Sequence, residues 1–167
     1  MKKVKEIEQR RSIRAYLPTE VEEEKLLAIL EAGRKAPSAR NRQMWHFYVV
    51  SNPDLKTKIK ALSRDQAMIE QAPICLVITA TDDYVMGCKI PAYVVDPTIA
   101  LSFMMLEATN QGLATCWIGA YDQDALKELL NLPAGETIIG MTPLGYAGQE
   151  PSARSYKSLE EIVTYLP

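Results

Sequence analysis

Apolar positions along the chain follow two alternating patterns, helical spacing and short unbroken runs, and together they predict a layered domain of helices and strands. Lys2 to Gln9 has the makings of a short first helix. Thr19 and Glu22 stand three apart as a capping box, and Val21, Leu26, Leu27 and Leu30 give the apolar face of a helix running to about Gly33. The polar stretch APSARNRQ, Ala36 to Gln43, reads as a loop, and Phe47 to Ser51 as a β-rich run. Asn52 and Pro53 supply the cap and first position of a helix through Leu62. Ile74 to Ile78 are consecutive apolar residues, a pattern suited to a strand covered on both faces.

A poorly patterned segment, Asp82 to Tyr93, reads as a loop. Asp96 and Pro97 then open the clearest helix, in which Ile99, Ala100, Phe103 and Leu106 run at helical spacing until Gly112. Because that stretch is apolar on more than one side, it belongs at the centre. Leu113 to Ile118 reads as a strand, Asp122 as the cap of a helix carrying Leu126, Leu129 and Leu130, and Ile138 to Tyr146 as the last strand. Ser158 and Glu161 make a second capping box. Alternating strands and helices with no repeat, linker or low-complexity tract predict a single α/β or α+β domain over residues 1–167.

Composition narrows the function classes. A chain of 167 residues can bury about 70% of its unfolded surface, so a core forms without disulfides or a structural metal. With 19 basic against 21 acidic side chains the net charge is −2, which argues against a nucleic-acid partner. Cys75, Cys88 and Cys116 are an odd set without a C-x-x-C pair, and His46 is the one histidine, so no metal site is expected. The charged start MKKVKEIEQRR lacks a signal peptide's apolar region and no run is long enough to span a membrane, so the expectation is a cytoplasmic protein with reduced thiols.

The usual catalytic motifs, G-x-S-x-G, the P-loop and G-x-G-x-x-G, are absent, so an enzyme built on this chain would rely on a bound cofactor. What the chain offers is anion-binding equipment: Arg10, Arg11, Ser12 and Arg14 near the start, Arg154 and Lys157 near the end. Guanidinium forks beside a serine hydroxyl suit a phosphate, although charge alone is equally consistent with a solvated helix end. His46, Cys88 and the Met104–Met105 pair suggest no chemistry of their own, and Trp45 and Cys116 read as core.

The order of four segments is more specific. RRSIRAY (Arg10 to Tyr16), APSARNRQMWHFYVV (Ala36 to Val50), GLATCWIGAY (Gly112 to Tyr121) and GYAGQEPSARSYKSLEEIV (Gly145 to Val163) resemble the successive motifs of the nitroreductase family, over nearly the whole chain. The resemblance implies an α+β, three-layer α/β/α fold with a central, mostly antiparallel sheet, in an intertwined homodimer with FMN at the subunit interface. It implies that Arg10 and Ser12, with Arg11 beside them, hold the FMN phosphate and ribityl chain, and that Arg14 lies at the pyrimidine edge of the flavin. Pro37, Ser38, Ala39, Asn41 and Gln43 match the loop that the partner subunit lays against the ring. Ile118 and Gly119 match the turn whose backbone N–H groups face flavin N5 and O4, approached through Cys116 and Trp117, and Arg154 and Lys157 complete the phosphate site. Arg14, Ile118 and Gly119 are thereby assigned to the reaction itself. Two positions depart from the family pattern: Tyr156 stands where an arginine is common, and Met44 replaces a proline before Trp45.

The activity implied is hydride transfer from NADH or NADPH through FMN to a nitroaromatic, a quinone or a similar small electrophile, in a ping-pong cycle, with the Asp82 to Tyr93 segment setting substrate choice. A flavin-binding redox sensor or FMN carrier without turnover is the alternative from another class.

Overall fold

Four strands form one sheet in the order β1-β2-β4-β3, each neighbouring pair antiparallel. They are β1 (Trp45–Val50), β2 (Ile74–Ala80), β3 (Ala114–Thr115) and β4 (Thr137–Gly145). The helices are α1 (Lys5–Gln9), α2 (Glu23–Arg34), α3 (Pro53–Ala61), α4 (Met68–Gln71), α5 (Ala92–Asn110), α6 (Gln123–Leu129) and α7 (Leu159–Ile162). The computed structural model describes residues 3–166, so the start of the first helix expected at Lys2 lies outside the described residues.

The unbroken apolar run in β2 is explained by cover on both faces. Leu76 and Ile78 pack with Ile29 of α2 and with Leu101 and Met104 of α5. Cys75 and Val77 point the other way, into a cluster with Ile59, Ile69 and Leu126 from α3, α4 and α6. The result is the three-layer α+β arrangement. α2 and α5 approach closely at Gly33, where an added Cβ would come within 2.7 Å of Met104 and 2.9 Å of Phe47.

Several boundaries differ from expectation for local reasons. The Thr19–Glu22 capping box does not form, because the Glu22 carboxylate accepts from the Tyr146 hydroxyl at 2.7 Å and from Lys25 at 3.0 Å, and α2 begins at Glu23. The Asn52, Asp122 and Ser158 caps form. α5 starts at Ala92, a turn before Asp96, so Pro97 lies inside the helix and Asp96 is not its cap. The expected strand from Leu113 to Ile118 shrinks to Ala114–Thr115 plus a bridge between Ile118 and Met141 in the same register. The cause is Pro143, which stands opposite Cys116 and has no N–H to donate. The Cys116 N–H takes the Thr142 Oγ1 instead, at 3.1 Å. The four-residue α4 had no sequence signal.

Buried titrating groups make stability fall in alkali. Burial pushes the Cys75 thiol and the Tyr121 hydroxyl up to about 12, burial and the Glu136 carboxylate do the same for Tyr48, and burial raises Tyr16 as well. Above the ordinary values of about 8.5 for Cys and 10 for Tyr the unfolded chain releases these protons while the native state keeps them. The unfolded state therefore binds fewer protons and stability drops progressively up to about pH 12. Urea unfolding followed from about pH 8 to about pH 11 should show a falling midpoint; a flat profile would contradict the burial of these groups.

Candidate functional site

The RRSIR segment leaves α1 extended and is laid along β3. Ser12 forms a parallel bridge with Thr115, and the Ile13 N–H donates to the Thr115 carbonyl at 3.0 Å. On its other side the Leu17 N–H donates to the Tyr146 carbonyl at 3.0 Å, and the Gly148 N–H to the Ala15 carbonyl at 2.8 Å. Gly148 allows this close approach, since a Cβ there would stand 3.0 Å from the Tyr16 backbone. Alternation buries Ile13 and leaves Ser12 half-buried and Arg14 exposed.

Arg10 and Ser12 open onto a cleft of about 360 Å³ whose other walls are Ser102, Met105 and Leu106 of α5 and the Trp117 indole. Trp117 is seated against Gly140, where a Cβ would come within 2.8 Å of its ring. An adjoining cleft of about 500 Å³ shares Arg10 and Leu106 and adds Lys3, Glu8, Arg11 and Tyr156, with Glu8 paired to Lys3 at 3.1 Å. Among the described residues no carboxylate lies within ion-pair distance of Arg10, Arg11 or Arg14. Arg11 donates to the carbonyls of Glu8 and Arg10, at 2.7 and 2.9 Å, and so caps the end of α1.

Along Cys116 to Gly119 the amides divide. The Ile118 N–H is taken by the Met141 carbonyl at 2.8 Å and the Cys116 N–H by Thr142. Among the described residues nothing accepts from the Gly119 N–H, and the nearest atom to a Cβ there is the Trp117 indole nitrogen, at 3.6 Å. The side chains of Cys116 and Ile118 are buried in the core, and neither residue lines the cleft.

The Pro37 to Gln43 loop is elsewhere on the chain and lines neither cleft. It is a tight structure in which Arg40, Asn41 and Gln43 take positive φ of 54°, 55° and 52°. The Gln43 N–H donates to Ser38 Oγ at 3.0 Å, and the Ala39 N–H to the carboxylate of Asp96 at 2.9 Å. From the Asp82–Pro91 side, Asp82 pairs with Arg42, whose guanidinium also lies 4.6 Å from the Tyr84 ring centroid. The Tyr84 backbone N–H and then Arg42 hold the Asp82 carboxyl below the ordinary carboxylate range. Sequence reasoning missed Asp96, Asp82 and Tyr84, and the one available signal, the Asp96–Pro97 pair, pointed to a helix start. Arg154 and Lys157 lie on the exposed tail and line neither cleft.

The comparisons with known proteins fit this geometry. The nitroreductase family model matches residues 7–73 and 60–146. The chain belongs to the nitroreductase family. It is 33% identical over 153 residues to a protein of Methanothermobacter thermautotrophicus provisionally named NADH dehydrogenase/NAD(P)H nitroreductase, covering 89% of this chain and 78% of that one. A nitroreductase family protein of Clostridium novyi NT superposes with a TM-score of 0.81 at 30% identity, over 88% of this chain and 87% of the other. An FMN-dependent nitroreductase of Clostridium difficile R20291 gives 0.82 at 26% identity, over 96% of both. As a member of this nitroreductase family, the chain is an NAD(P)H-dependent oxidoreductase with FMN as its cofactor.

The residues present fit FMN. Arg10, without an ion-pair partner among the described residues, and the Ser12 hydroxyl suit the phosphate end, and the walls formed by Met105, Leu106 and Trp117 suit an apolar ring system; Gly119, whose amide is open, lies beside the Trp117 indole. Among the described residues no group of His, Cys, Asp or Glu could hold a metal ion, and no helix is long and apolar enough to cross a membrane.

Proposed function

We propose that this chain works as a homodimer that passes two electrons from NADH or NADPH through FMN to a small electrophilic acceptor, a nitroaromatic or a quinone. The observation that carries the reading is the cleft in which Arg10, Ser12 and Trp117 converge, with no carboxylate among its walls and none in ion-pair distance of Arg10 among the described residues. When bound, FMN supplies the two-electron relay between donor and acceptor. Arg10 and Ser12 bind its phosphate and ribityl chain, with Arg11 beside them. Arg14, exposed next to the anchored Ile13 and lining neither cleft, would supply a positive charge to the pyrimidine end of the ring, where reduction adds negative charge. The Gly119 N–H would be a donor for the ring, and Ile118 keeps that turn in place through its paired bonds with Met141.

The second copy is supported by two features. The Pro37, Ser38, Ala39, Asn41 and Gln43 loop reaches the cleft only if another chain delivers it. The tail leaves Tyr156, Leu159, Ile162, Tyr165 and Leu166 between 62% and 91% exposed, which suits an arm laid over a neighbour, and it carries Arg154 and Lys157 with it. On this reading Arg154 and Lys157 complete the phosphate site, and Tyr156, which lines the cleft beside Arg10 and Arg11 of its own chain, stands where the family has a cation.

The test is a visible spectrum after FMN addition and desalting, followed by anaerobic addition of NADPH and then NADH. Stoichiometric retained flavin that bleaches with one donor is the expected result, and Trp117 fluorescence should be quenched on loading because its indole lines the cleft. Flavin that is retained but reduced by neither donor would favour the sensor or carrier; no retained flavin would refute the cofactor assignment.

A further inference from the structure

Asp96 is an ionisable side chain at 3% exposure in the interior of α5, yet among the described residues it has no cationic partner. A carboxylate in such a place is unfavourable unless it satisfies a donor that nothing else can reach. The donor here is the Ala39 N–H, at 2.9 Å, from a segment 57 residues away in sequence. Ala39 is the second residue of a turn closed by the Asn41 N–H on the Ser38 carbonyl at 2.9 Å, and the left-handed residues Arg40, Asn41 and Gln43 follow it. Positive φ is uncommon for residues other than glycine and asparagine, so Arg40 and Gln43 on either side of Asn41 mark a locally strained loop, and strain of this kind gathers at ligand clamps.

We infer that Asp96 is a positioning residue for the flavin: by gripping the Ala39 amide from inside the helix layer, it fixes the strained Ala39–Gln43 loop in the one shape that closes on the cofactor of a second copy. This rests on the dimeric FMN reading above. The grip explains why the Asp-Pro pair lies inside α5 instead of at its start, since the carboxylate serves another segment and not its own helix. It differs in kind from the outer clip of Arg42 on Asp82 and Tyr84, which is exposed to solvent and screened by it.

The experiment compares Asp96→Ala, Asp96→Asn and Ala39→Pro with the parent protein. Asparagine keeps an acceptor oxygen of the same reach. Proline deletes the donor at a turn position that favours proline, after a Ser38 already extended at ψ 156° as a pre-proline residue must be. In flavin-free protein, amide exchange at Asn41 and Gln43 should accelerate about tenfold or more in Asp96→Ala and Ala39→Pro and stay within about threefold in Asp96→Asn, with Val77 in β2 unchanged. The FMN dissociation constant should follow the same order, and the double variant Asp96→Ala/Ala39→Pro should be no worse than the weaker single one. Unchanged loop exchange in Asp96→Ala overturns the proposal, and so does accelerated exchange with parental FMN affinity. Should Asp96→Ala fail to fold, the contrast between Ala39→Pro and Asp96→Asn decides alone. If the parent protein itself does not bind FMN, the dimeric flavin reading fails and the positioning role falls with it, while the exchange data still report whether Asp96 holds the loop.

Discussion

Deleting the chain from Pro151 onward is expected to turn a flavin-retaining dimer into a folded monomer that loses FMN on desalting. From Ala147 to Leu166 every described residue is exposed, so the sheet and its two helical layers lose no buried side chain with the tail. The association should lose far more. Leu159, Ile162 and Leu166 would each contribute about 1.5–3 kcal/mol when covered by a neighbour, with the Tyr156 and Tyr165 rings adding to it. Arg154 and Lys157 disappear in the same deletion, removing the phosphate contacts assigned to the tail. Light scattering on the purified variant reads the mass, and absorbance after desalting reads the flavin. A truncated chain that remains dimeric and yellow would mean that the tail is neither the arm nor part of the cofactor site.

Arg14→Ala should slow flavin reduction by NADPH or NADH about 100-fold or more while leaving the dimer intact, since removing one positioned electrostatic donor costs about 100- to 1,000-fold. Arg14 is exposed and, among the described residues, has no ion-pair partner, whereas its neighbour Ile13 carries the packing and the bond to Thr115. The substitution should therefore change stability by less than about 0.5 kcal/mol. Arg14→Lys keeps the charge without the planar fork and should recover part of the rate. Stopped-flow bleaching of the flavin measures the step, and an alanine variant that reduces at the parental rate would remove Arg14 from the site.

The sequence was most legible where local chemistry and tertiary structure agree. The unbroken Ile74 to Ile78 run is a strand covered on both faces, and the Asn52, Asp122 and Ser158 caps form as their side chains dictate. The order of the four motifs was sufficient to indicate the family, and with it the fold, before any contact was known. Legibility failed where a side chain prefers a distant partner to a local one. Glu22 leaves its capping box for Tyr146, and Asp96 leaves its helix for Ala39. Pro143 ends the β3 ladder at Cys116, an effect that depends on which residue stands opposite and is invisible until the register is known.

The site divides in the same way. Arg10, Ser12 and Arg14 stood out only through the order of the family motifs, since their charges alone are equally those of a solvated helix end. That Arg11 caps α1, that the Ile118 amide is taken while the Gly119 amide is open, and that the Pro37 to Gln43 loop lies away from the cleft are decided by pairings between segments far apart in the chain. By itself the sequence determined most of the elements, the family and the charged residues available for an anion, because these depend on local propensity and motif order. Only the tertiary structure decided which donors are still free and which are already satisfied, because each hydrogen bond goes to the partner that packing brings closest.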